Sequence, residues 1–163
     1  QNPMTAFDPS CKIGTQLAET YRLHNKSSAK AARNAVLEAM QRAGLEDCKA
    51  VWSSYPYMLS GGMLQRAAVA AAIMKRPRLI IADEPTTALD AEHRIAVTDM
   101  LKSLCGSAAV IMVTHDFAVA GRFGGHAYIM KNGVFVEQGD IKKMISSPEN
   151  EYTKELLDAA LLI

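Results

Sequence analysis

The sequence predicts an α/β fold entered through a helical first half, and three observations carry that prediction. Leu79–Ala82 and Ala108–Val113 are short continuous apolar runs, the pattern of strands buried on both faces of a sheet. Between them, Ala91–Cys105 has helical periodicity, so strand, helix and strand alternate. The segment before Ser60 reads almost wholly as helix, which sets it apart as a helical subdomain of about residues 11–75.

Taken in order, Gln1–Ser10 holds an Asn-Pro step and a second proline, so it is a loop. Ile13–Leu23 has helical spacing. Asn25–Ser28 is polar and offers an N-cap to a helix over Ala29–Ala43. Ala32, Val36, Leu37, Met40 and Ala43 share one face of that helix, and Gly44 terminates it. Ser53–Met58 is a loop marked by Pro56. Ser60 caps a helix that runs to about Lys75 and stops before Pro77. After the first strand, Val97, Met100, Leu101 and Leu104 face inward from the helix over Ala91–Cys105. Past the second strand come a short helix over Asp116–Phe123 and two strands, Ala127–Met130 and Val134–Glu137. Asn132-Gly133 between those strands is the signal of a type I′ turn. Helices over Ile141–Ile145 and Tyr152–Leu162 close the chain.

At 163 residues the chain is long enough for one domain with a real core. Hydrophobic residues make up 49% and charged residues 21%, the balance of a soluble globular protein. The net charge of +1 gives no electrostatic reason to expect a nucleic-acid partner. Cys11, Cys48 and Cys105 are widely spaced with no CxxC pair, so buried or inert thiols are expected rather than a metal site. No apolar run approaches the roughly 20 residues of a membrane span, and no signal-peptide pattern opens the chain.

Three stretches carry possible chemistry. The strand Leu79–Ala82 runs into Asp83-Glu84, which delivers two carboxylates to the carboxyl end of a sheet, where ligands of open α/β sheets bind. Asp83 suits Mg²⁺, directly or through water, and Glu84 suits orienting or deprotonating a water. Ser60-Gly61-Gly62 opens a helix whose N-terminal N–H groups and dipole favour an anion, with glycines that let a phosphate come close. His115, just past the second strand, can donate to a phosphate oxygen. In isolation each pattern also fits a blander origin: a strand that ends in acids, an ordinary capped helix, a partly buried structural histidine. His24, His93 and His126 show no such placement and are expected to be surface or structural.

In combination, Ser60-Gly61-Gly62, Asp83-Glu84, Ala88-Leu89-Asp90 and His115 resemble the nucleotide-binding subunits of ATP-binding-cassette (ABC) transporters. Leu59–Met63 is similar to the signature motif, Leu79–Glu84 to the Walker B strand, Ala88–Asp90 to the D-loop, His115 to the switch histidine and Gln1 to the Q-loop glutamine. Gln1–Pro9, Ser60–Arg66 and the tail Glu151–Leu157 further resemble the dipeptide, oligopeptide and nickel importers. The resemblance spans the whole chain. It implies a partial P-loop NTPase core with a helical signature subdomain, divided as a Q-loop segment (1–10), a helical subdomain ending in the signature helix (11–75) and the C-terminal part of the core (76–163).

The resemblance also implies roles. The family works as head-to-tail dimers around two ATP molecules. Ser60, Gly61 and Gly62 would contact the γ-phosphate of the partner's nucleotide, and Asp90 the opposite subunit. Asp83 would support Mg²⁺, with Gln1 touching Mg²⁺ or the attacking water. Glu84 would act as general base, and His115 would contact the γ-phosphate. The implied partners are a second ATPase subunit, identical or different, transmembrane permease subunits and, indirectly, an extracytoplasmic solute-binding protein. The implied place is the cytoplasmic face of the membrane. The family's phosphate loop, G-x-x-x-x-G-K-[ST], does not occur in the sequence. The expectation is therefore a C-terminal portion of a longer ATPase that binds little ATP alone. The alternatives are a non-transport ATPase of the same superfamily, against which the short spacing from Gln1 to Ser60 argues, and a non-catalytic interaction module.

Overall fold

The computed structural model describes residues 3–87 and 89–161. The chain separates into two compact units, one up to Val113 and one from Thr114.

The first unit opens with a 3-10 turn at Pro3–Ala6, followed by α1 (Ile13–Asn25), α2 (Ala29–Arg42) and α3 (Cys48–Ser53). A second 3-10 turn at Pro56–Met58 leads to α4 (Gly61–Ile73), β1 (Leu79–Asp83), α5 (Ala91–Leu104) and β2 (Ala109–Val113). The caps are local and explicit. Ser28, Asp47 and Ser60 accept the N–H groups of Ala31, Ala50 and Met63 and so start α2, α3 and α4. Lys26 ends α1 in the left-handed region, and its N–H returns to the Arg22 carbonyl.

α1, α2, α3 and α4 pack on one another. Ile13, Leu17, Ala32, Val36, Met40, Val51, Leu64, Ala67, Ala70 and Ile73 are their buried residues. Each buried Leu or Ile side chain contributes about 2 kcal/mol relative to exposure. Leu37, expected on the inner face of α2, is only half-buried, and Ala39 is buried beside Met40. Two longer-range ties fix the bundle. Arg66 Nη1 on α4 donates to the Gly44 carbonyl beyond α2 at 2.6 Å. Gly14 on α1 lies flat against the Trp52 indole, close enough that a Cβ there would overlap the ring, while the Arg33 guanidinium sits 5.1 Å from the ring centre. α3 itself was not visible in the apolar pattern, because six residues show less than two turns of periodicity.

β1 and β2 form a parallel pair in register, Leu79 with Ala109 through Asp83 with Val113. α5 packs on β2, with Val97, Leu101 and Leu104 buried. The two strands are not buried on both faces as the continuous apolar runs predicted. Ile80 is buried, but Leu79, Ile81, Ile111 and Val113 are about half or more exposed on the alternate face. The reason is geometric: successive side chains alternate between faces, and one helix covers only one of them.

The second unit contains α6 (Phe117–Phe123), β3 (His126–Lys131), β4 (Val134–Asp140), α7 (Ile141–Ser146) and α8 (Glu151–Leu161). β3 and β4 are antiparallel and joined at Asn132-Gly133, both with positive φ (51° and 80°), as a type I′ turn requires. A bulge between Ile129 and Met130 shifts the register. Val119, Ile141, Met144 and Thr153 are buried. Among the described residues, no helix is long and apolar enough to cross a membrane.

Candidate nucleotide and coupling site

The carboxyl end of β1 is the first component of the site. Asp83 is the strand's last residue and lies opposite Val113. Glu84 follows with φ of 47°, and its N–H donates to the Val113 carbonyl at 2.9 Å. The ladder thus runs one hydrogen bond past the strand while the chain turns sharply. A left-handed conformation at a residue with a Cβ costs roughly 1–2 kcal/mol and marks a position held by its surroundings. The Thr87 hydroxyl donates to Glu84 Oε2 at 3.2 Å, and the Thr87 N–H returns to the Glu84 carbonyl. Thr86 is buried beneath this turn.

The start of α4 is the second component. Ser60 has extended backbone and its Oγ accepts the Met63 N–H at 3.2 Å, while the Leu64 N–H reaches the Ser60 carbonyl. The N–H groups of Gly61 and Gly62 precede the first intrahelical donor, the Leu64 N–H, so they point out from the positive end of the helix. The two glycines differ. A Cβ on Gly61 would meet nothing within 4 Å, so its backbone is open to an approaching group. A Cβ on Gly62 would lie 2.3 Å from His93 Cδ2, so the imidazole rests directly on this backbone.

Asp90 is the third component. It caps α5, its Oδ1 accepting the His93 N–H at 2.9 Å, and His93 Nδ1 lies 2.8 Å from each of its carboxylate oxygens. These hydrogen bonds, the backbone one first and the ring second, hold the exposed carboxyl below the ordinary aspartate range. Sequence reasoning missed both Thr87 and His93. The signal for His93 was its spacing three residues after a capping Asp, which makes its N–H the cap donor. Nothing in the sequence announced its meeting with Gly62.

His115 is exposed and belongs to the second unit, between β2 and the Asp116 cap of α6. Gln1, and Ala88 of the stretch expected as a D-loop, lie outside the described residues. Among the described residues no group of three His, Cys, Asp or Glu side chains could enclose a metal ion. Mg²⁺ usually takes one or two carboxylates together with waters and substrate phosphates. Asp83, exposed at the strand end, fits that use.

The family model described as ABC transporter matches residues 4–87. The chain belongs to the ABC transporter family. Among its relatives is the metal-staphylopine import system ATP-binding protein CntD of Staphylococcus aureus. The two are 41% identical over 162 residues, covering 96% of this chain and 59% of CntD. The dipeptide transport ATP-binding protein DppD of Lactococcus lactis is 39% identical over 162 residues, covering 98% of this chain and 46% of DppD. The dimeric structure of MJ0796, a bacterial ABC transporter cassette, superposes with a TM-score of 0.69 at 30% identity, over 82% of this chain and 58% of that one. MJ0796 in a post-hydrolysis state with ADP and Pi matches equally well. The fold is thus that of part of an ABC ATPase cassette, as the motif order predicted. The chain spans about half the length of the curated relatives it matches.

Proposed function

We propose that this chain is the part of an ATP-hydrolysing import subunit that presents the signature helix, the Walker B carboxylates, the D-loop aspartate and the switch histidine. The observation that supports this reading most is the end of β1. There an exposed Asp83 closes the strand, and Glu84 is held in a left-handed turn by the Val113 carbonyl and the Thr87 hydroxyl. Asp83 would hold Mg²⁺, directly or through water, and the ion would supply neutralisation of phosphate charge. Glu84 accepts a proton from the attacking water. Ser60 and the open Gly61 backbone donate to the γ-phosphate of a partner subunit's nucleotide, beside Gly62. His115 would contact the γ-phosphate, Gln1 would touch Mg²⁺ or the water, and Asp90 would meet the opposite subunit.

In this reading residues 1–10 form the Q-loop segment, 11–75 the helical subdomain ending in the signature helix, and 76–163 the C-terminal part of the ATPase core; roughly Gln1–Met58 meets a permease. The solute is a peptide, nickel or another metal, in keeping with relatives named for dipeptide transport and for metal-staphylopine import. A second ATPase subunit and membrane permeases complete the machine, with a solute-binding protein acting through the permeases. The subunit sits at the cytoplasmic face of the membrane.

The test is a calorimetric titration of Mg-ATP into two polypeptides: the 163-residue chain, and one that adds an upstream G-x-x-x-x-G-K-[ST] loop to it. Binding and hydrolysis by the second alone are expected, since that loop carries most of the grip on the β- and γ-phosphates. Micromolar binding by the first, or no hydrolysis by the second, overturns the assignment.

A further inference from the structure

Asp90 and Gly62 belong to separate motifs, the D-loop and the signature helix, and one side chain touches both. The His93 ring turns its Nδ1 edge to Asp90, 2.8 Å from Oδ1 and from Oδ2. It turns its Cδ2–Nε2 edge to Gly62, where an added Cβ would lie 2.3 Å from Cδ2 and 3.1 Å from Nε2. His93 sits on α5 one residue after Glu92 and in the first turn, so its backbone N–H is already committed to the same carboxylate. Backbone and ring together leave Asp90 little rotational freedom. A cap alone needs only the backbone bond; the ring contact is additional.

We propose that His93 is a positioning residue of the ATPase site, its imidazole locking the Asp90 carboxylate to the Gly62 backbone so that the signature helix start and the D-loop move as one body. The proposal rests on the ATPase reading above. It deepens that reading by naming the group that joins two of its surfaces. The Nδ1 that faces the carboxylate must carry a proton for this lock, which leaves Nε2 as the edge against Gly62. Transition-state positioning of this kind acts on turnover, while the grip on nucleotide lies mainly in the phosphate loop.

The test has two readouts. The first is nitrogen NMR of the His93 ring in the 163-residue chain, with Asp90→Ser, which keeps an N-cap oxygen but removes the carboxylate. Nδ1 is expected to be protonated in the parent chain and to lose that preference in Asp90→Ser. Gly62→Ala should also change the ring resonances by pushing the imidazole aside.

The second readout is ATP hydrolysis by the polypeptide that includes the phosphate loop. His93→Ala should lower kcat about tenfold, one step of about 1.4 kcal/mol in the barrier, with KM for ATP within about twofold. His93→Phe keeps a ring on Gly62 without a donor and should be as slow. His93→Asn keeps a donor in reach of Asp90 and should recover part of the loss. Folding of each variant is checked by its unfolding midpoint.

A ring with no Nδ1 proton preference overturns the contact, and the proposal with it, whatever the ATPase does. An intact NMR signature with kcat unchanged in His93→Ala and His93→Phe overturns the positioning role alone. An intact signature in a polypeptide that hydrolyses no ATP sinks the ATPase reading and the proposal together, and leaves only a structural lock.

Discussion

The Glu84 N–H donates to the Val113 carbonyl at 2.9 Å while Glu84 itself stands at φ of 47°. The last bond of the β1–β2 ladder therefore anchors the one turn residue that carries the proposed general base. Backbone and side chain make separable predictions. Glu84→Gln keeps the shape and removes the base, so in the polypeptide with a phosphate loop ATP binding should persist and turnover fall by about 10²–10⁴-fold. Glu84→Gly removes the base and also the left-handed penalty. Relief of roughly 1 kcal/mol, less the loss of the exposed Thr87 bond, should raise stability by about 0.5 kcal/mol in urea unfolding. Near-normal turnover in Glu84→Gln sinks the base assignment. A marked destabilisation by Glu84→Gly shows that the carboxylate holds the turn, not the reverse.

Much of this arrangement was legible in the sequence because the signals were local. Ser60 read as an N-cap and accepts the Met63 N–H. The run ending at Ala82 read as a strand, and β1 ends one residue later at Asp83. Asn132-Gly133 read as a tight hairpin turn and has the dihedrals to match. What was not legible depends on residues distant in the chain. The meeting of His93 with Gly62 and of Gly14 with Trp52 are packing events between helices, and no periodicity encodes them. The helix over Cys48–Ser53 is too short to show a pattern, although its cap, Asp47, was in plain view. Two-faced burial of β1 and β2 was read from the unbroken apolar runs alone. Such a run reports that a face is apolar, and only packing decides whether anything lies on it.

That uncovered face makes the second prediction. Ile81 pairs with Ile111 across the strands and the two are 66% and 52% exposed, with Leu79 and Val113 beside them. A contiguous apolar patch on a two-stranded parallel pair invites association. The 163-residue chain should bind a hydrophobic dye and sediment as a concentration-dependent oligomer. Ile81→Lys together with Ile111→Glu should reduce both effects and leave stability within about 0.5–1 kcal/mol, since the positions are exposed and the paired charges are opposite. A monodisperse parent chain that binds no dye would contradict the exposure of this face.

The third prediction concerns the second unit, where α8 is docked onto β4 through one carboxylate. Glu137 accepts the N–H groups of Glu149 and Asn150, each at 3.1 Å, and Asn150 Nδ2 donates to the Val136 carbonyl. Lys131 adds a cation over the Tyr152 ring at 4.1 Å. The Thr153 hydroxyl beside the carboxylate, then those two backbone N–H groups, hold the Glu137 carboxyl below its ordinary 4.5. A lowered carboxyl pKa means that the unfolded chain binds the proton more readily than the folded one. The contribution is therefore complete above about pH 5 and is lost as pH falls through 4.5 and below. Glu137→Gln should cost about 0.5–1 kcal/mol at pH 7, a figure already reduced for solvent screening, and should cost less at pH 3.5. Urea unfolding of both forms at the two pH values measures the difference. An equal cost at both would mean that Glu137 acts through packing rather than charge.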